Sequence, residues 1–210
     1  MPTAVLFAAV LLAFQEPSSG EPPQVPPLSD ADRAAIAAVE ALGGQVVQRA
    51  QNDARLDVSF HLGDVELTAK HLDALVPLAD RLHELNLRGT PFDDGLSRKL
   101  TLLTNLRKLH LEGTKIGDAA LVPVGTLERL EYLNLYGTKV TDAGLKNLRG
   151  LVALRSLYVW DTAVTTAGAL ALMKDLPEVQ IVGVDLPPAP RTPLNAPKPA
   201  PETAPEEDQE

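Results

Sequence analysis

Cysteine is absent from all 210 residues. Without thiols the chain has no disulfide, no thiolate metal centre and no cysteine nucleophile, so its stability has to come from packing. Aromatic residues make up only 4% of a chain that is 45% hydrophobic, and the core must therefore be aliphatic. Positive charge is also in short supply: 19 Lys and Arg stand against 28 Asp and Glu, a formal charge of −9. Such a body is repelled by phosphate backbones and anionic bilayers, which argues against nucleic acid and membrane surfaces as partners. GxSxG, P-loop and dinucleotide fingerprints are missing too. The apolar run from Ala4 to Phe14 is too short to span a bilayer and has the length of a signal-peptide core. It predicts export to the periplasm or the exterior. No Lys or Arg precedes the run and no clean small-x-small site follows it, so an apolar tail on a cytoplasmic protein is the alternative.

Proline divides the chain. Residues 1–15 form the candidate signal peptide, and 16–29 a proline-rich linker. At the other end lies an acidic tail, 187–210, in which eight of 24 residues are proline. Such composition buries too little to offset chain entropy, and disorder is expected there. Residues 30–57 read as an N-terminal capping region. Ser29 or Asp30 can cap a helix, Ile36, Val39 and Leu42 recur at helical spacing, and Gly43-Gly44 ends it.

Residues 58–186 are dominated by self-similarity. LHELNLRGTPFDD from Leu82, LRKLHLEGTKIGD from Leu106, LEYLNLYGTKVTD from Leu130 and LRSLYVWDTAVTT from Leu154 start 24 residues apart. A truncated copy, VQIVGVD, starts at Val179, and a degenerate one precedes them all, with Val58 and Phe60 in a strand and Val65 in the next turn. Leu85/Leu87, Leu109/Leu111, Leu133/Leu135 and Leu157/Val159 alternate at period two, as a strand buried on one face requires. Thr90, Thr114, Thr138 and Thr162 follow, where a hydroxyl can bond turn backbone of its own and the neighbouring coil. Asp93, Gly117, Thr141 and Thr165 are N-cap residues for a following helix, with Asp94, Asp118 and Asp142 in its first turn, where negative charge suits the dipole. The inward faces of those helices are Leu121/Val124/Leu127, Leu145/Leu148/Leu151 and Leu170/Met173/Leu176. No copy can bury both its strand and its helix alone, so the copies must stack into an α/β solenoid closed at its ends by the first helix and the Val179 copy.

The copies GTKVTDAGLKNL and GTKIGDAALVPV, together with the AVEALGG helix, resemble the leucine-rich-repeat proteins of planctomycete-type bacteria, similar in repeat type to eukaryotic F-box adaptors. The resemblance covers about residues 30–186. It implies a leucine-rich-repeat horseshoe with a parallel concave β-sheet, convex helices and an N-terminal capping helix. It also implies protein interaction, with substrate receptors of ubiquitin ligases among the relatives.

Candidate chemistry is thin. The Asp94, Asp118 and Asp142 row is better read as capping than as a metal or acid–base site. His61, His71, His83 and His110 lack ligand spacing and read as surface imidazoles. Neither a cofactor, a metal nor a catalytic residue is expected. The stronger signal lies on the strand positions between the buried leucines, which point into the concavity. There Glu84 should face Lys108 and Arg88 should face Glu112, two self-neutralising pairs. Further along, all three tyrosines and the lone tryptophan fall on these positions, at Tyr132, Tyr136, Tyr158 and Trp160. With Asn134 and His110 they form the expected partner-binding site, since amphipathic rings are favoured anchors at interfaces. A ring ladder that merely stiffens the sheet, or a groove for the chain's own PPAPRTP segment, is the alternative. The expected function is non-enzymatic protein binding. A glycan or cell-wall module, an adaptor-like substrate receptor and a structural spacer are the other readings.

Overall fold

The computed structural model describes residues 27–50, 53–61 and 66–185. The candidate signal peptide, most of the 16–29 linker, Val65 and the 187–210 tail lie outside the described residues. The chain opens with α1 (Asp30–Ala41). Ser29 caps it: its Oγ accepts from the Asp32 N–H at 3.1 Å, while the Asp32 carboxylate accepts from the Ser29 N–H at 2.7 Å. This reciprocal box satisfies two otherwise orphaned donors. Val39 is the fully buried residue of the helix and packs so tightly on Gly44 that a Cβ there would lie 2.6 Å from its methyl group.

A strand pair follows, of which the sequence pattern announces β2, the strand of the degenerate copy, but not β1. β1 (Gln45–Ala50) runs antiparallel to β2 (Asp53–Ser59). The remaining strands, β3 (Leu82–Asn86), β4 (Lys108–His110), β5 (Tyr132–Asn134), β6 (Ser156–Tyr158) and β7 (Gln180–Val182), add in chain order and in parallel. The register is that of the repeats, with Leu85, Leu109, Leu133, Leu157 and Ile181 side by side. Each is buried, and burial of a leucine contributes roughly 1.5–3 kcal/mol. The core is a stack of aliphatic layers, ordered one per repeat.

The convex side carries α2 (Ala69–Leu75), α3 (Asp94–Ser97), α4 (Leu121–Val124), α5 (Asp142–Leu145) and α6 (Thr166–Asp175). Three of these are single turns, extended by 3₁₀ segments at Arg98–Leu102, Asp118–Ala120 and Lys146–Leu148. Two of the three expected inward triplets are buried as anticipated, 121/124/127 and 145/148/151. In α6 the buried residues are instead Ala169 and Leu172, with Leu176, while Leu170 is 37% exposed. Counted from the N-caps Thr165 and Thr141, Ala169 and Leu172 hold the places of Leu145 and Leu148, so the helix keeps the register of the repeats and the extra residue is taken up between Leu172 and Leu176.

The threonine column bonds only its own coil. The hydroxyls of Thr90, Thr114, Thr138 and Thr162 donate to the carbonyls of Leu87, Leu111, Leu135 and Val159 at 2.6–2.7 Å. Links between coils come from the aspartates. Asp94 Oδ1 accepts from the Gly117 and Ala120 N–H groups. Asp118 takes the N–H and hydroxyl of Thr141, both at 2.7 Å, and Asp142 those of Thr165, again at 2.7 Å. These carboxylates therefore fasten the next coil's turn, a role beyond the dipole of their own helix. Gly144 and Gly168 make room for them, since a Cβ would fall 2.4 Å from Asp118 Oδ1 and 2.0 Å from Asp142 Oδ1.

Candidate functional site on the concave face

Glu84, Lys108, His110, Tyr132, Asn134 and Tyr158 alternate with the buried leucines of β3–β6, while Arg88, Glu112, Tyr136 and Trp160 follow two residues beyond the strand ends; the face they form has two halves. At the N-terminal end the Glu84 carboxylate lies 3.6 Å from Lys108 Nζ and 3.4 Å from His110 Nε2. The expected Glu84–Lys108 pair therefore forms. Arg88 makes no ion pair with Glu112 among the described residues. Glu112 is turned along the sheet, so that Oε1 accepts from Asn134 Nδ2 at 2.7 Å and meets His110 Nδ1 at 3.0 Å. Its other oxygen, Oε2, is buried and has no hydrogen-bond partner.

Two of the four histidines are not at the surface, contrary to the expectation for imidazoles without ligand spacing. His71 is buried in α2 and stands edge-on to the Phe60 ring, with Nδ1 accepting from the Thr68 N–H. His83 is only 6% exposed. The Arg49 guanidinium reaches it from β1, 2.6 and 2.7 Å from its two ring nitrogens. Burial first, and Arg49 second, lower its pKa to about 4. Burial and then Glu84 raise that of Asp57. Asp57, His83 and Glu84 bring ligand atoms within 4.8 Å of one another. Arg49 already stands against the imidazole and Lys108 against Glu84, so the group is a knot of ion pairs, and a metal would have to displace a guanidinium.

In the C-terminal half the rings gather in two rows. The His110 and Tyr132 rings lie 4.8 Å apart and those of Tyr132 and Tyr158 5.3 Å apart, a tilted ladder across β4, β5 and β6. Tyr132 and Tyr158 are half-buried by it, and burial raises the Tyr132 phenol pKa. The second row is open: Tyr136 is 50% and Trp160 54% exposed. The two residues are neighbours across the sheet, the Gly137 N–H donating to the Trp160 carbonyl at 3.0 Å. Asn134 is fixed between the rows. Its Nδ2 donates to Glu112 and its Oδ1 accepts from the Tyr136 N–H at 3.1 Å.

Beside the open row lies a pocket of about 410 Å³, walled by Tyr136, Tyr158 and Trp160 and bordered by Arg88, Glu112 and Asn134. Its remaining lining is the backbone of Gly89 and Gly113, whose φ values of 67° and 64° belong to the left-handed region. Glycine tolerates that conformation freely and leaves the space empty. The fourth copy sets Asp161 in this column at φ 54°, a strained position that Asp accepts more readily than most residues. Sequence reasoning finds the rings, but it misassigns Arg88 and Glu112 as a pair and overlooks the pocket. The signal was the glycine column, which removes side chains beside the aromatic one.

A Leucine Rich repeat family profile matches residues 103–125. No curated protein matches the sequence significantly. Among solved structures, an internalin C2 from Listeria monocytogenes is similar at 21% identity over 72% of this chain and 85% of that one, with a TM-score of 0.41. A second internalin from that organism is 18% identical over 73% of this chain and 56% of its own, TM-score 0.37. A leucine-rich-repeat protein from Leptospira interrogans is 20% identical over 56% of this chain and 34% of its own, TM-score 0.35. The chain thus spans little more than half of the second internalin and about a third of the Leptospira protein. The repeat match and the stacked parallel strands give the chain the fold of a leucine-rich-repeat solenoid. Among the described residues no helix is long and apolar enough to cross a membrane.

Proposed function

We propose that the protein is a non-enzymatic, exported protein-binding module that seats its partner on the C-terminal half of the concave face. Tyr132, Tyr136, Tyr158 and Trp160 are its anchors, with His110 and Asn134 as polar neighbours. One observation carries this reading: Tyr136 and Trp160 stand half-exposed side by side over a pocket, at 50% and 54%. Rings with one polar edge supply large contact area at small entropic cost. The Tyr132–Tyr158 ladder stiffens the floor beneath them, so the anchors are preorganised. The charged half, by contrast, neutralises itself and has little to offer a partner. Export rests on the apolar run at residues 4–14. The kinship with planctomycete-type repeats rests on the GTKVTDAGLKNL pattern.

Cross-linking in the native cell, followed by affinity measurement on the captured partner, tests the site. Tyr158→Ala and Trp160→Ala should each weaken binding by more than about 1 kcal/mol, and Glu84→Ala and Lys108→Ala clearly less. Trp160 is the only tryptophan, so its emission should shift to the blue as the partner excludes water. Equal effects of the four substitutions would refute the assignment. Capture of polysaccharide in place of protein would transfer the same rings to sugar stacking.

A further inference from the structure

We propose that the pocket beside Tyr136 and Trp160 receives one cationic side chain, a lysine or arginine of the partner, with its charge on Glu112. The inference rests on the reading of this face as a protein-binding surface and names what that surface selects. Its starting point is an imbalance. Glu112 belongs to the pocket lining, its side chain is only 12% exposed, and Oε2 is buried with no donor. A buried carboxylate oxygen without a donor forfeits hydration and gains nothing in exchange. The neighbouring groups do not supply one: both Asn134 Nδ2 contacts go elsewhere, to Glu112 Oε1 and to the Tyr132 hydroxyl, and Arg88 does not reach the carboxylate. Oε2 is closed to solvent, so an ammonium or guanidinium in the pocket meets it only after the carboxylate turns to exchange its two oxygens; donor and opposite charge then arrive together, the stronger kind of hydrogen bond.

The walls suit the same guest. Tyr136, Tyr158 and Trp160 present ring surface to the cavity, and a cation held within about 6 Å of a ring centroid is attracted by its quadrupole, most strongly at tryptophan. An aliphatic stem can lie along the rings while its charged head reaches the carboxylate. The long-range field agrees, because a body of charge −9 concentrates cations around it. Arg88 on the β3 side of the pocket is exposed. As a like charge it disfavours a cation on that side of the pocket and weakens the guest's hold.

Three capped tripeptides of sequence Ala-X-Ala test the charge requirement on the full-length protein, where X is lysine, norleucine or 6-hydroxynorleucine. Lysine offers charge and donor, hydroxynorleucine a donor alone, norleucine neither. Trp160 emission should saturate with the lysine peptide, and both neutral peptides should bind about tenfold more weakly or worse. Glu112→Gln keeps the shape and the Asn134 contact, and it should abolish the preference while leaving circular dichroism unchanged. Arg88→Ala should tighten the lysine peptide roughly two- to threefold by removing like charge. Equal affinity for the three peptides, an unaltered preference in Glu112→Gln, or no lysine-peptide signal by about 10 mM would each overturn the proposal. Should the preference vanish while Trp160→Ala still loses the captured partner, the binding face stands and the cation falls. Should the preference hold while Trp160→Ala keeps the partner, the pocket is a cation site and the binding-face reading falls.

Discussion

Asp118 shows how much a single side chain does in this molecule. Its two oxygens close the turn of the following coil through Thr141, and Gly144 has no side chain so that the carboxylate can fit. Asp118→Ala leaves the Thr141 N–H and the hydroxyl proton without acceptors, and a loss of about 1–3 kcal/mol is expected. Gly144→Ala should cost a similar amount by overpacking the same carboxylate. Urea denaturation checks both, as a lower midpoint at constant slope, and the double variant should lose less than the sum because the residues touch. The leucine columns were legible because period two and burial are properties of one strand. The target of Asp118 was not, since a bond 23 residues away depends on how two turns superpose. Arg88 and Glu112 failed for a related reason. Register makes them neighbours, but Glu112 found Asn134 and His110 first.

Among the elements, α1 and β1 close the end that would otherwise leave Leu56 and Val58 of β2, and Phe60 just after it, exposed; all three are buried. Arg81 ties this cap to the repeats, its Nε 3.0 Å from the Asp32 carboxylate. Deletion of residues 31–42 should lower the thermal midpoint by several degrees and produce concentration-dependent association, followed by light scattering, because an apolar layer is uncovered. An unchanged midpoint in a monomeric variant would show that the hairpin alone suffices. The helix was readable from its caps and its Ile36/Val39 spacing. β1 was not, because QVVQRA is exposed at almost every position and an edge strand covered on neither face has no alternation to reveal it. The buried face of α6 was hidden for the opposite reason: Leu170, Leu172, Met173 and Leu176 offer two apolar faces, and only packing chooses between them.

At the scale of the whole molecule, His83 couples stability to pH. Buried beside Arg49, it holds its proton only below about 4, against an ordinary value of 6.5. Between those values the unfolded chain binds a proton that the folded chain refuses, so stability is complete above pH 6.5 and declines as pH falls toward 4. Asp57 acts the other way, because its raised pKa lets the folded state take up a proton first, which offsets part of the loss at the acid end of the window. The thermal midpoint should therefore drop between pH 7 and pH 5, and His83→Gln should flatten that slope. A wild-type midpoint that is level across the window would contradict the assignment.

The aspartate links also make the coils interchangeable as units of chain length. Excising residues 118–141 would set Asp142 directly after Gly117, in the place Asp118 held, with its bonds to Thr165 untouched. Nothing is orphaned at the splice, whereas removing half a coil would strand a carboxylate against the wrong turn. Because that cassette carries Tyr132, Asn134 and Tyr136, the same edit would erase half of the aromatic surface while the scaffold closed behind it. In an ancestry built by duplicating and losing such cassettes, what the concavity recognises can change in whole steps without a new interface having to evolve.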